Sequence, residues 1–312
     1  MEEGKIDVVI PTYAPDYKLF ELLKKLQQQT ISINRIILLH TKIEGECALH
    51  LQLQSEDIPC DYITIVSHSK EEFDHGATRH KGMCLSKGEY VLCMTQDAIP
   101  NDDQLVEKLK NALEEKEVAI AYARQIVSEK SSPIERITRD FNYPKEDSVK
   151  SIEDLERLGI KTFFCSNVCA MYRRKIYMEL EGFIESAIFN EDMIYAAKVI
   201  KNKYKIAYVG SAKVLHSHSY TNYQQLQRNF DLGVSQAMNI EVFQGISSSS
   251  EGVKLVLKTR RILLEEGLRK QVLPMYVTSA YKWIGYQLGK RYHLLSPALI
   301  GKLTMNKNFW KK

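Results

Sequence analysis

Four short, largely apolar runs separated by helical spacing leave this chain few folds to adopt. They are Ile6-Asp7-Val8-Val9-Ile10, Arg35 to His40 (RIILLH), Asp61 to Ser67 (DYITIVS) and the run from Tyr90 to Asp97 (YVLCMTQD). Runs this continuous lack the in–out alternation of a half-wet strand, so each is expected to be buried on both faces. Pro11 is expected to stop the first strand. Leu19, Leu22, Leu23 and Leu26 then recur at helical spacing up to Thr30, a weaker helix covers about 46–55, and another runs from about Ala77 to Ser86. Strands alternating with helices imply an α/β fold with a parallel, doubly wound sheet. A helix from about Asp103 to Glu115 leads to a strand at Val118–Tyr122. Beyond it, Thr162 to Tyr172 (TFFCSNVCAMY) reads as a buried strand, Asn190 to Asn202 as a helix opened by acids, and Lys205 to Val209 as a strand. Gly245 to Gly252 (GISSSSEG) reads as a linker, which divides the chain into residues 1–245 and 246–312.

The segment that promises chemistry is Tyr90 to Pro100, an apolar strand presenting one carboxylate, Asp97, in a short loop closed by proline. In open α/β sheets, ligands bind outside the carboxyl ends of the strands, so an acid there is placed to meet a ligand or a metal. Capping the helix that begins near Asp102, or making the turn, is the alternative role.

With 312 residues, 44% hydrophobic and 26% charged, the chain is long enough for a sizeable core and is not disordered in composition. The start, Met1-Glu2-Glu3-Gly4-Lys5, leads straight into a strand, so no signal peptide is expected, and no apolar run is long enough to span a bilayer. Six cysteines without CxxC spacing (Cys47, Cys60, Cys84, Cys93, Cys165, Cys169) read as reduced, buried cytoplasmic thiols. The net charge of +4 is uneven: from Glu251 onward thirteen basic residues face three acidic ones, a balance of +10, leaving −6 on the first 250 residues.

Several motifs in order carry a resemblance. The opening VVIPTY, the helix ending QQQT, the TQDAIP loop, NEDM at 190–193 and VLHSH at 214–218 resemble family-2 glycosyltransferases of the GT-A fold. FDHGATR at 73–79, FFCSNVCA at 163–170 and RNFDLGVSQA at 228–237 resemble, within that family, bacterial rhamnosyltransferases that build cell-surface polysaccharides. The resemblance implies a GT-A fold, that is, a Rossmann-like, mostly parallel central sheet flanked by helices, here with a C-terminal helical extension. It also implies an inverting enzyme that moves L-rhamnose from dTDP-β-L-rhamnose onto a lipid-linked saccharide.

Asp97 matches the second acid of the family's DxD metal motif, while Thr95 stands where the first acid would be. His216 matches the family's histidine after a strand, and His218, two residues on, would point to the same side and supply the lacking ligand for Mg²⁺ or Mn²⁺. Asp192 matches the general base of inverting members, with Glu191 placed to hold acceptor hydroxyls. Pro11, Thr12 and Tyr13 are expected at the base and ribose, and Asp74, His75, Gly76, Arg79 and Gln96 around the donor. Glycine there would allow close backbone approach and arginine a bidentate phosphate grip. Arg228 closes a Gln-x-x-Arg spacing seen in processive members, although Asn229 replaces the tryptophan that normally follows; it is expected at the diphosphate or the acceptor.

The tail interleaves Lys254, Lys258, Arg260, Arg261, Arg269, Lys270, Lys282, Lys290 and Arg291 with Leu, Val, Tyr and Trp283. Such a basic amphipathic pair suits the anionic inner face of the cell membrane, which would localise a cytoplasmic enzyme peripherally at its lipid-linked acceptor. A helical cap on the catalytic part or a homodimer contact are the alternatives. No nucleic-acid recognition motif accompanies the charge. Two rivals come from other classes. A nucleotidyltransferase would need a glycine-rich, lysine-containing phosphate loop where PTYAPD stands, and a catalytically silent sugar-nucleotide-binding protein would tolerate the incomplete metal motif. A UDP-sugar donor is the alternative to dTDP-rhamnose.

Overall fold

The computed structural model describes residues 2–45, 47–218, 220–244 and 249–311. Its strands are β1 (Glu2–Tyr13), β2 (Arg35–Thr41), β3 (Ile63–His68), β4 (Gly88–Met94), β5 (Ile99–Pro100), β6 (Val118–Ile126), β7 (Ser148–Lys150), β8 (Cys169–Arg173) and β9 (Lys205–Leu215). Its helices are α1 (Tyr17–Gln27), α2 (Leu49–Ser55), α3 (His75–Leu85), α4 (Leu105–Ala112), α5 (Pro133–Asn142), α6 (Leu155–Leu158), α7 (Arg174–Glu179), α8 (Glu191–Lys201), α9 (Asn222–Met238), α10 (Ile240–Phe243), α11 (Ser249–Glu265), α12 (Val272–Gly289) and α13 (Pro297–Leu303).

The strands join in the order β3-β2-β1-β4-β8-β6-β9-β5, with β7 also on β9. β1 to β4 are mutually parallel, so their carboxyl ends share one edge. β8 enters antiparallel between β4 and β6 and joins this half to the parallel pair β6 and β9. Side chains alternate across the sheet with period two. Val8, Ile10, Ile36, Leu38 and Leu92 meet α1 and α4 on one face, whereas Val9, Ile37, Leu39, Val91 and Cys93 meet α3, α7 and α8 on the other. Both faces are dry, which is why the runs carry apolar residues at successive positions. Asp7 is the exception inside β1: its carboxylate is fully buried and accepts from Lys87 N, Gly88 N and Asn34 Nδ2 at 2.7–3.0 Å.

The architecture corrects three local expectations. β1 continues through Pro11 to Tyr13, because pairing with β4 ends at Val9 and Pro11 has only β2 beside it. The run from Thr162 is not a strand until Cys169; Gly159–Phe163 form a 3₁₀ turn instead. A buried amine explains this, since Lys150 Nζ donates to the carbonyls of Lys161 and Phe164 and to Tyr122 Oη, removing those carbonyls from any ladder. Of the six cysteines, all free, only Cys93, Cys165 and Cys169 are buried; Cys47 and Cys84 are exposed.

In the expected linker, residues 245–248 lie outside the described residues, and Ser249 to Gly252 open α11. Glu46, the first residue of the expected 46–55 helix, also lies outside them. Residues beyond 249 pack on the preceding chain. α12 crosses α9 closely enough that a Cβ on Gly289 would sit 2.1 Å from Phe230 O, so only glycine fits. Leu263 of α11 and Met275 of α12 bury Ile137 of α5.

Candidate active site

Asp97 follows β4 in a turn and is pinned from both sides: Thr95 N donates to Val168 O (3.2 Å) and Ala98 N to Thr95 O (3.1 Å). The next residues, Ile99 and Pro100, pair with Leu215 and Val214 at the end of β9. That pairing brings the residues after β9 back over the loop. His216 Nε2 lies 3.5 Å from Asp97 Oδ1 and His218 Nε2 3.5 Å from Asp97 Oδ2, with all three candidate ligand atoms within 4.8 Å of one another.

The tautomer of His216 follows from a neighbour that sequence reasoning missed, Gln125 on β6. Arg139 of α5 can only donate, and it donates to Gln125 Oε1, so that atom is the carbonyl oxygen. Gln125 Nε2 correspondingly donates to Ser166 Oγ at 3.0 Å and to Tyr143 Oη. His216 Nδ1 lies 3.1 Å from the same Oε1 and must carry the proton it donates there. Burial, followed by the nearby charges of His218 and Arg139, pushes the His216 pKa down to about 2, so its Nε2 presents a lone pair to the Asp97 carboxylate. Burial likewise lowers the His218 pKa. Two acceptors 3.5 Å apart are placed to share a cation between them. The donor set of two neutral imidazoles and one carboxylate therefore fits a divalent ion, with Gln125 orienting the ligand from behind. Gln125→Leu is expected to weaken Mn²⁺ affinity roughly 10- to 100-fold; unchanged affinity in a metal titration would remove Gln125 from this role.

Asp192 reaches the same edge from the neighbouring strand. β4 and β8 pair Met94 with Cys169, and Asn167, just before β8, donates its backbone N–H to Asp192 Oδ2 at 2.9 Å. Met193 N holds the other oxygen at 2.8 Å. The helix carrying it starts at Asn190 in the left-handed region, φ 64°, a conformation asparagine tolerates better than most residues. Burial, then the charge of Glu191, raises the Asp192 pKa to about 7. Glu191 itself does not face an acceptor. It is 5% exposed, and its carboxylate is held by Arg79 Nη1 and Asn167 Nδ2, both at 3.0 Å. Burial alone would raise its pKa, but Arg79, His75 and Asn167 together bring it below the usual value.

Several residues expected at the donor are occupied internally. Asp74 caps α3, accepting from Gly76 N (2.9 Å) and Ala77 N (3.0 Å), and also accepts from Ala187 N. Gly76 permits a close approach, but to protein: a Cβ there would lie 1.9 Å from Ile184 O. Arg79 is buried on Glu191 rather than open to a phosphate. Thr12 Oγ1 is 3.1 Å from His40 Nδ1, and Pro11 is only partly exposed. Gln96 exchanges two bonds with the Tyr13 backbone (2.9 and 2.8 Å), which ties the end of β1 to the metal-type loop.

What remains open is a cavity of about 600 Å³ lined by Tyr13, Lys70, His75, Arg228 and others, together with a distant segment, Met305 to Lys311. The Arg228 guanidinium lies 4.6 Å from the Phe189 ring and 5.8 Å from that of Tyr220, which in turn packs beside His218. Among the described residues, Thr95 Oγ1, Arg79 Nε and Asn190 Nδ2 are buried without a partner, all three in residues of this site.

A parallel half joined through an antiparallel strand to a second half, with a carboxylate–imidazole cluster at the junction, is the architecture of GT-A glycosyltransferases. Solved structures agree on the fold. The mannosyltransferase PcManGT from Pyrobaculum calidifontis, solved with GDP-Man and Mn²⁺, superposes with a TM-score of 0.64 at 12% identity over 92% of this chain and 87% of its own. TarS 1-349 from S. aureus, solved with UDP-GlcNAc, gives 0.53 at 13% identity over 93% and 91%. The model of glycosyl transferase family 2 matches residues 7–181, and the chain belongs to that family. It is 33% identical to the O-antigen chain rhamnosyltransferase RfbN of Salmonella typhimurium, over 98% of this chain and 96% of the relative. It is also 33% identical to the O-antigen chain rhamnosyltransferase WbaN of Salmonella anatum, over 97% and 95%.

Proposed function

We propose that this glycosyltransferase moves L-rhamnose from dTDP-β-L-rhamnose to a lipid-linked saccharide in cell-surface polysaccharide synthesis, with inversion at the anomeric carbon. The observation that carries the sugar assignment is the 33% identity to two O-antigen rhamnosyltransferases along nearly the whole of both chains. Asp192 accepts the proton of the acceptor hydroxyl as its oxygen bonds to the anomeric carbon and the bond from that carbon to the diphosphate breaks. A pKa of about 7 suits a base working near neutrality. Asn167 holds Asp192 in place, and the charge of Glu191 tunes it. A divalent cation, Mn²⁺ or Mg²⁺, held by Asp97, His216 and His218 would neutralise negative charge on the departing diphosphate. Tyr13, Gln96, His75 and Arg228 line or brace the donor side. Purified protein given a panel of nucleotide sugars with Mn²⁺ is expected to release dTDP from dTDP-rhamnose; turnover of UDP-sugars alone would sink the rhamnose assignment.

No helix among the described residues is long and apolar enough to cross a membrane. Leu257, Leu273 and Trp283 are nevertheless 59%, 71% and 64% exposed on the basic helices α11 and α12, an arrangement that supports peripheral docking on an anionic leaflet. Because α12 packs on α9, substitution rather than truncation is the proper probe. Changing these three residues to serine should abolish flotation with anionic liposomes, and equal flotation would reject a membrane role for this face.

A further inference from the structure

The segment Thr304–Lys311, far from the family motifs in sequence, folds back onto the donor side of the cavity. Its first residues clamp Asp231 of α9: Thr304 Oγ1 donates to Oδ1 at 2.6 Å, and Met305 N and Asn306 N donate to Oδ2 at 3.0 and 3.3 Å. Gln227 Nε2 holds the carbonyls of Lys302 and Thr304 at 2.9 and 3.2 Å. Phe309 and Trp310 pack against the cluster of Ile188, Phe230, Ile300 and Leu303. At its far end, Asn308 Nδ2 donates to Lys70 O at 3.1 Å, bridging 238 residues of chain. The segment is thus anchored to both sides of the opening.

Its charge matters more than its shape. Among the described residues, the charged side chains lining the cavity are Lys70, Arg228, Lys307, Lys311 and a single carboxylate, Asp231, whose oxygens are already bonded to the segment. Lys70 Nζ rests 3.3 Å from Tyr13 Oη, and the Tyr13 backbone is bonded to Gln96, the neighbour of Asp97. The positive end of the cavity therefore adjoins the metal-type loop. A cavity of about 600 Å³ with aromatic walls (Phe73, Phe189, Tyr220) and four basic side chains against one carboxylate among the described residues has the size and chemistry for a nucleoside diphosphate. Arg79, by contrast, is already neutralised by Glu191.

We propose that Lys307 and Lys311 are donor-binding residues, with Thr304–Lys311 forming the wall of the donor site that meets the diphosphate. The proposal rests on the glycosyltransferase reading above. Calorimetric titration with dTDP and UDP in the presence of Mn²⁺ tests it on the full chain. The double variant Lys307→Ala/Lys311→Ala should bind its preferred diphosphate roughly 10- to 100-fold more weakly. Lys307→Arg/Lys311→Arg should restore most of the affinity, and thymidine and uridine, which lack phosphate, should bind both variants and wild type alike. Wild-type affinity in the double alanine variant would overturn the proposal and leave the glycosyltransferase reading standing. A wild-type chain that binds neither diphosphate would overturn both.

Discussion

Asp192→Asn is expected to lower kcat/KM by about 10²- to 10⁴-fold, the usual contribution of a positioned general base. The sign of its pH dependence follows from the surroundings. Burial and the Glu191 charge raise the Asp192 pKa to about 7, and only the ionised form can take the acceptor proton. In the wild type, kcat/KM should therefore rise tenfold per pH unit below about 7 and level off above it, and the asparagine variant should lose that limb. Glu191→Gln removes the charge that opposes ionisation and leaves Arg79 unpaired beside the site, so the limb should move to lower pH. That substitution should also cost about 3–5 kcal/mol of stability, as breaking a buried pair does, so unfolding is measured alongside. An asparagine variant retaining more than a tenth of the activity, with the acidic limb intact, would place the base elsewhere.

Asp97→Ala should remove activation by divalent cations altogether, with a loss of transfer on the order of 10³-fold from the several kcal/mol that a metal supplies to developing charge. Chelation of the wild type should give the same loss, reversed by Mn²⁺. The loss of metal affinity should be largest for Asp97→Ala, smaller for His216→Ala and smallest for His218→Ala. Asp97 is the only anionic ligand and faces both rings, His216 is buried with its tautomer set by Gln125, and the His218 side chain is 39% exposed. An Asp97→Ala protein that still binds and responds to Mn²⁺ would dissolve the cluster as a metal site. Thr95 in the place of a first acid makes this a sharp test, because no second carboxylate in the loop can take over.

How much of this was legible in the chain can be judged residue by residue. The apolar runs located β1 to β4, and the leucine spacing located α1, because two-sided burial and one-sided helix packing leave different periods in a sequence. Asp97 in the TQD loop was visible as an acid at the tip of an apolar strand, whereas the acids at 191–192 and the pair of histidines took their roles from the family resemblance. Gln125 and Arg139 were not visible, since a polar residue on a strand gives no sign of what its side chain will meet across the sheet. Nor was Lys150, which turned an apolar run into a 3₁₀ segment by binding its carbonyls.

The order of elements and the positions of reactive groups were thus set locally, by hydrophobic period and by turn residues acting over a few positions. Tertiary structure alone decided which of those groups remain free to act. Asp74, Gly76, Thr12, Arg79 and Glu191 are held by partners as much as 113 residues away, whereas Asp97, His216 and His218 converge from the turn after β4 and the end of β9. Each polar atom has few bonds to make, and whether a ligand or the protein takes them depends on neighbours that only the folded chain brings near.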